Sequence, residues 1–341
     1  MIVGVRLGEQ SFQLSAPPAV LGWASVVGQM EGDGPLGDSF GRIEPDHRFG
    51  QSSWEKAEAA MQQEVIAAAL RKAGLHPSEL DCLLAGDLLN QCIGSSFAAR
   101  GLQTPFCGLY GACSTMGEGL LLAAMTLEAG CARCCGVVTS SHFCSAERQY
   151  RTPLEYGSQR TPTAQWTVTG AGAVVLGQAV QGLYLTGGTL GRVVDKGITD
   201  ANNMGAAMAP AACETLLAHF RDTGRKPGDY DLICTGDLGL LGSALLLDLL
   251  QAEGVTLSNH QDCGAMIFDP ACQDVHAGGS GAGCCASVLA GWLLNGMRKH
   301  RWNRVLFCPT GALLSPLSCQ QGESIPAICH AVVLENNLER S

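Results

Sequence analysis

The sequence predicts an α/β protein built from two copies of one βαβαβαββ unit. Three observations carry this. Residues 70–88, LRKAGLHPSELDCLLAGDL, recur as residues 220–238, FRDTGRKPGDYDLICTGDL, without a gap and at an offset of 150 (220 − 70). Short apolar runs bounded by Gly, Pro and Asp alternate with longer apolar helical stretches, the pattern of parallel strands buried on both faces. The ends of the two copies also match, with GAVVL at 172–176 and HAVVL at 330–334.

Taken in order, each copy shows the same physical sequence of events. A helix ends at Gly74 or Gly224, where a glycine can take the left-handed C-cap conformation. Pro77 or Pro227 then blocks continuation. Asp81 or Asp231 opens an apolar run, CLLA or LICT, of the right length for a buried strand, and Gly86-Asp87 or Gly236-Asp237 closes it. The apolar helices Gly119–Gly130 and Gly283–Gly296 each lead into another strand, CCGVVTS and RVLFCPT. Applying the offset to Cys113 lands on Cys263, which the repeat predicts to occupy the corresponding turn. The halves are expected to span 1–185 and 186–341, with short loops and right-handed crossovers packing them as layered α/β units.

Composition narrows the function. The chain has 341 residues, 46% hydrophobic and 15% charged, with 21 basic against 31 acidic residues and a net charge of −10. Its densest basic run is Arg298-Lys299-His300-Arg301, so nucleic acid is not expected as a partner. The opening MIVGVRLGEQSF lacks a basic segment followed by an apolar one, so no export signal is read there. The seventeen cysteines are therefore expected to be reduced, small, buried hydrophobes. Cys131 and Cys134 form a CxxC, but no second CxxC lies at finger spacing and Cys284-Cys285 are adjacent, so neither a metal site nor a cofactor is expected. No apolar run reaches the roughly eighteen residues of a membrane span.

The stretch GLYGACSTMGEG at 108–119, followed by an apolar helix, places Cys113 at a sharp turn into a helix N-terminus, where a nucleophile would sit. Two tandem βαβαβαββ halves with such a cysteine in the first resemble the thiolase superfamily. The resemblance implies a five-layered αβαβα fold, homodimers, and condensation of acyl groups on coenzyme A or carrier protein. By that resemblance His276, in HAGGSGAG, is the candidate base and Cys308, in FCPTGALL, the candidate second cysteine. Where the superfamily carries an oxyanion donor, this chain has Gly236-Asp237, and an aspartate repels a developing oxyanion unless protonated.

A closer resemblance is carried by SHFCSAERQYRTPLEYGSQRTPTAQWTVTGAGAVVL (141–176), NNMGAAMAPAA (202–212) and TGALLSP (310–316). These segments are similar to the stage V sporulation protein AD family of endospore-forming bacteria. That family implies a non-catalytic protein that binds dipicolinic acid (pyridine-2,6-dicarboxylate) for uptake into the forespore. It further implies partners among membrane proteins of the same operon and a peripheral place on the cytoplasmic side or surface of the spore inner membrane; the sequence leaves open whether the ligand comes alone or with calcium. The alternative is an acyl-CoA or acyl-carrier-protein condensing enzyme with Cys113 as nucleophile; the degenerate oxyanion position favours the binding protein, leaving Cys113, His276 and Cys308 as vestiges. The ligand is expected in the crevice between Cys113 and the 276–283 loop. Candidate contacts are Cys113, His142, Arg148, Asp237, His276, Gly279, Ser280 and Gly281, with Arg151 as a further cationic donor.

Overall fold

The computed structural model describes residues 4–150 and 160–336. The first half opens with the hairpin β1 (Val5–Leu7) and β2 (Ser11–Gln13), then β3 (Ala19–Gly28), α1 (Gln29–Gly32), β4 (Arg42–Glu44) and α2 (Trp54–Ala73). It continues through β5 (Cys82–Gly86), α3 (Ile93–Arg100), β6 (Phe106–Gly108), α4 (Thr115–Glu128), β7 (Cys134–Ser141), α5 (Phe143–Tyr150), β8 (Trp166–Thr167) and β9 (Gly170–Gly177). The second half runs β10 (Tyr184–Thr189), α6 (Met204–Thr223), β11 (Leu232–Gly236), α7 (Gly239–Ala252), β12 (His260–Asp262), α8 (Cys263–Met266) and β13 (Gly279–Ser280). Then come α9 (Ala282–Val288), a π-helical stretch (Leu289–Leu293), α10 (Leu294–Arg298), β14 (Arg304–Ala312), α11 (Pro316–Gln320), β15 (Ala327–Cys329) and β16 (Ala331–Glu335).

Strand order shows the duplication. The first half is arranged β6-β5-β7-β9-β3 and the second β12-β11-β14-β16-β10, with β3 and β10 meeting at the Tyr184–Ala19 pair. In both, the edge pair and the next pair are parallel while the last two are antiparallel. The repeated strands Cys82–Gly86 and Leu232–Gly236 thus hold the same place.

The repeated residues have repeated jobs. Gly74 and Gly224 both cap their helices at φ 70°, the left-handed region that favours glycine. Asp81 accepts the backbone N–H groups of Arg133 and Cys134 (2.7 and 3.2 Å), and Asp231 those of Asn303 and Arg304 (2.6 and 2.9 Å). Each carboxylate therefore fixes the start of the neighbouring parallel strand, β7 or β14. The next aspartates diverge. Asp87 accepts from the N–H of Leu89 and of Ser95, capping α3. In the second half that role passes to Asp262, which accepts from the N–H of Leu238 and Gly239 at the head of α7. Asp237 is thereby released to point elsewhere.

Five layers result. Helices α2 and α3 cover the outer face of the first sheet, α4 and α9 lie between the sheets, and α6 and α7 cover the second. Three apolar clusters fill the gaps: one around α4 and α9, one under α2, one under α6. The small residues of TVTGAGAVVL are explained by α9, which lies directly on β9: a Cβ on Gly172 would stand 2.1 Å from the Ala286 carbonyl oxygen. All the cysteines are unpaired as thiols, and among the described residues no helix is long and apolar enough to cross a membrane.

The equivalence of Cys263 with Cys113 needs correction. Strand register pairs Leu83 with Phe106 and Ile233 with His260, so the offset has grown from 150 to 154 (260 − 106) at the edge strands. Cys263 starts the short helix directly after β12, whereas Cys113 sits beyond β6 at the entrance to α4. The loop and β13 inserted before α9 displace the frame further.

Candidate functional site

A cavity of ≈300 Å³ opens beside Cys113, between the two halves. The turn carrying Cys113 is held by its own hydroxyls. Ser114 Oγ donates to the Gly111 carbonyl (2.7 Å), Thr115 Oγ1 donates to that of Ala112 (2.7 Å), and the Gly111 N–H donates back to Thr115 Oγ1 (3.0 Å). These bonds hold Ala112 at φ 51°, a strained value for a residue with a Cβ. The run Gly-Ala-Cys-Ser-Thr thus forms an elbow that leaves Cys113 at the cavity floor, 5% exposed.

The facing wall comes from β8 and β13, which pair in parallel and present Thr167 and Ser280. Gly281 follows at φ 116°, where only glycine is at ease. Ser141 pins this wall, donating to the Val168 carbonyl (2.6 Å) and accepting from the Gly283 N–H (3.0 Å). A third wall is α5, with Ala146, Glu147 and Tyr150, together with Leu88. The Tyr150 hydroxyl donates to the Leu88 carbonyl (2.7 Å) and lies 3.1 Å from that of Tyr110 at the rim. Asn202, Met204, Leu314 and Gln320 complete the enclosure.

The electrostatics disfavour a nucleophile. Burial pushes the Cys113 thiol well above its ordinary pKa, Asp237 pushes it further, and the Gly281 N–H pulls only weakly the other way. Asp237 itself is fully buried and held far above the usual carboxylate range by burial and by the charge of Asp262. The Cys284 and Cys285 thiols and the Gly281 N–H favour its ionised form, yet neither carboxyl oxygen makes a well-formed hydrogen bond. At neutral pH the floor of the cavity therefore holds Cys113 as a thiol, beside a carboxyl group whose pKa burial pushes upward.

Of the residues singled out by sequence, Cys113, Ser280 and Gly281 line the cavity, and Gly279 lies behind it in β13. Asp237 is fully buried and within electrostatic reach of Cys113. His276 is at a turn with φ 50°, its Nε2 3.2 Å from Asp274 Oδ1, and does not line the cavity. His142 is buried and neutral, its Nε2 bonded to the His47 carbonyl (2.7 Å) and its Nδ1 accepting from the Cys144 N–H (3.2 Å). Arg148 projects to the opposite side of α5, paired with Glu55 and lying over the Trp54 ring. Cys308 is enclosed in β14, where the Cys329 thiol donates to its carbonyl. Arg151 lies outside the described residues.

Sequence reasoning missed Tyr110, Thr167 and Asn202, although each stands in a segment already quoted: GLYGACSTMGEG, TVTGAGAVVL and NNMGAAMAPAA. It also missed Gln165, whose side-chain amide donates to the carbonyls of Asp237 (2.7 Å) and Gly279 (2.9 Å) and so braces the floor against the facing wall.

Comparison with known proteins agrees with this architecture. The family profile described as stage V sporulation protein AD (SpoVAD) matches residues 8–335. Stage V sporulation protein AD of Bacillus subtilis (strain 168) is 44% identical over 329 residues, covering 96% of this chain and 97% of that protein. Among solved structures, 3-oxoacyl-(acyl-carrier-protein) synthase III from Aquifex aeolicus VF5 superimposes with a TM-score of 0.57 at 13% identity, over 93% of this chain and 99% of that one. Cerulenin-bound OleA from Xanthomonas campestris gives 0.60 at 14% identity, over 94% and 96%. At such identities the likeness is one of fold, the thiolase-like fold.

Proposed function

Because the chain belongs to the stage V sporulation protein AD family, we propose that it is a non-catalytic binding protein whose cavity takes dipicolinic acid for uptake into the forespore. The observation that carries the non-catalytic reading is the state of Cys113. A condensing enzyme needs a thiolate and a base beside it. Here burial and Asp237 keep the sulfur protonated, and no histidine or lysine lines the cavity among the described residues.

The cavity's size and lining suit a small flat acid. Its volume of ≈300 Å³ stands at the small end of ligand pockets, which run roughly 300–1,000 Å³. Leu88, Ala146 and Leu314 offer apolar contact to a ring, while Thr167, Ser280, Tyr110, Asn202 and Gln320 line the cavity as neutral donors. Among the described residues no Lys or Arg lines it, and Glu147 does. A free dianion would thus be met by neutral donors alone. Calcium chelated by the ligand's carboxylates and ring nitrogen would cancel that charge, so the proposal includes calcium as the ligand's companion. It also includes membrane proteins of the same operon as partners, a peripheral place at the spore inner membrane, and a homodimer.

Calorimetric titration with dipicolinic acid, with and without calcium, and separately with acetyl-CoA tests the reading. Saturable binding of dipicolinate and no product from acetyl-CoA is expected. Turnover of acetyl-CoA that Cys113→Ala abolishes would overturn it and establish a condensing enzyme.

A further inference from the structure

Behind the α5 wall lies a second cluster that the binding reading does not use. Glu58 of α2 and Asp87, just after β5, are both buried, with relative exposures of 1% and 0%. They flank Gly94: a Cβ placed there would stand 3.2 Å from Asp87 Oδ2 and 3.6 Å from Glu58 Cγ. Glu58 accepts from the hydroxyl of Ser140 in β7 (3.0 Å) and from that of Ser145 in α5 (2.8 Å). Asp87 accepts from the Leu89 N–H (2.9 Å) and from the Ser95 N–H and hydroxyl (2.7 and 2.6 Å). Gln62 bridges the two groups, its side-chain amide 2.9 Å from Ser95 Oγ and 2.7 Å from Ser140 Oγ.

This cluster is one residue removed from the cavity at both ends of α5. Ser145, bonded to Glu58, precedes the lining residues Ala146 and Glu147. Leu88, next to Asp87, lines the cavity and its carbonyl accepts from Gln149 (3.0 Å) and Tyr150 (2.7 Å). We propose that the Glu58–Asp87 pair is a proton switch on the cavity wall: while the two carboxyl groups hold one proton between them α5 stays seated, and loss of that proton releases it. The device is independent of what the cavity binds.

The donors decide where the proton resides. Backbone N–H groups stabilise the anion on Asp87, leaving the proton on Glu58. Burial first, and the Asp87 charge second, raise Glu58 to about 8. No Lys, Arg or His hydrogen-bonds either carboxyl group among the described residues, so a second negative charge there has no partner. Two buried anions are relieved by admitting water. Three helices cover the pair: α2, whose twenty residues lie across β3, β9 and β7; α3, eight residues packed on α2, β5 and β6; and α5, eight residues packed on β8 and α2 and the most lightly held of the three.

Other charged or titratable groups also face α5. Arg48 lies over the Trp54 ring and acts on Cys144, and Arg160 lies over the Trp166 ring, which stacks on Phe143. Arg148 is paired outward with Glu55, and Glu147 is buried on the cavity side. The Cys92 thiol donates to the Leu109 carbonyl, and burial keeps the Tyr110 and Tyr150 phenols and the Cys144 thiol neutral and His142 uncharged. Glu31 acts at the other end: it accepts the Thr169 N–H (2.9 Å), and Thr169 Oγ1 accepts the Phe143 N–H that begins α5 (3.0 Å).

Hydrogen exchange of the 143–150 amides between pH 6 and 9.5, expressed as protection factors over intrinsic exchange, tests the switch. Protection should stay level at low pH and then fall up to about tenfold per pH unit, the slope of one linked proton. Glu58→Gln should remove the fall, Ser145→Ala should lower protection at every pH, and Glu31→Gln should leave the transition in place. If Glu58→Gln does not fold, Asp87→Asn serves, since removing the neighbouring charge leaves burial alone to raise Glu58 and should move the transition to lower pH; a transition that stays in place would overturn the proposal. Protection that is level in the parent, that falls equally in Glu58→Gln, or that loses its transition in Glu31→Gln would overturn the proposal. Calorimetry with dipicolinate at pH 6.5 and 9 on the same samples separates the two readings: absence of binding at both pH values defeats the ligand assignment alone.

Discussion

The Cys285 thiol donates to the Cys113 carbonyl oxygen across 3.3 Å, tying the elbow of the first half to the central helix of the second. The bond fixes the backbone of Cys113 while burial, chiefly, holds its sulfur as a thiol. Iodoacetamide at pH 7.5 should therefore label the exposed Cys107, Cys131 and Cys272 at least about tenfold faster than Cys113, as peptide mapping would read, because the thiolate is the reacting species. Preferential labelling of Cys113 would mean that the site retains an activated nucleophile.

What was legible in the sequence and what was not divides along physical lines. The repeat at 70–88 and 220–238 was legible because backbone demands wrote it. Gly74 and Gly224 must reach φ 70°, and Asp81 and Asp231 must satisfy the N–H groups that start a strand. Cys113, Ser280 and Gly281 were legible as cavity-lining positions because an elbow and a Gly-rich turn bring the backbone to the edge of a cleft. Tyr150 and Leu88 were not, since they reach the cavity only through the packing of α5. His276 and Arg148 were chosen for their chemistry, and tertiary structure gave each a local acidic partner instead, Asp274 and Glu55.

Stability should decline as pH rises from 6.5 to 8. Glu31 and Glu58 have folded pKa values raised from 4.5 to about 7 and about 8, chiefly by burial. An acid raised on folding contributes stability that is full below its unfolded pKa and lost as pH climbs through the folded one. Asp87 and Asp237, also raised, act with the same sign. The histidines lowered to about 4, His219, His260 and His330, act with the opposite sign. Most of their gain lies between pH 4 and 6.5 and only about 0.4 kcal/mol each is left to gain above it, so they offset the decline without reversing it. Each linked proton is worth about 1.4 kcal/mol per pH unit. Urea midpoints should fall across this window, with Glu31→Gln removing the part below pH 7 and Glu58→Gln the part that continues to pH 8. A rising midpoint would show that these acids are ionised in the folded chain.

Gly283→Ala should loosen the centre of the molecule. A Cβ there would stand 2.1 Å from the Gly170 carbonyl oxygen and 2.7 Å from the Ser141 N, both backbone atoms that cannot step aside. The helix must lift off β9, which costs about 1–3 kcal/mol in an overpacked core. The variant should unfold at a lower urea concentration, and an unchanged midpoint would contradict the close approach of α9 to β9.

Ligand affinity should follow the hydroxyls of the facing wall rather than the histidine of the Gly-rich loop. With no Lys or Arg lining the cavity among the described residues, a ligand carboxylate there must be held by donors such as Thr167 and Ser280. A hydrogen bond to a charged group contributes roughly 1.5–3 kcal/mol, so Ser280→Ala and Thr167→Val should each weaken dipicolinate about tenfold or more. Cys113→Trp should fill the floor and abolish binding. His276→Ala should leave affinity within about twofold, a difference of roughly 0.4 kcal/mol, because its ring meets Asp274 and not the cavity. Calorimetry on variants with unchanged urea midpoints reads the comparison. Loss of binding in His276→Ala with retention in Ser280→Ala would place the ligand on the outer face of the Gly-rich loop, and the cavity beside Cys113 would then not be its site.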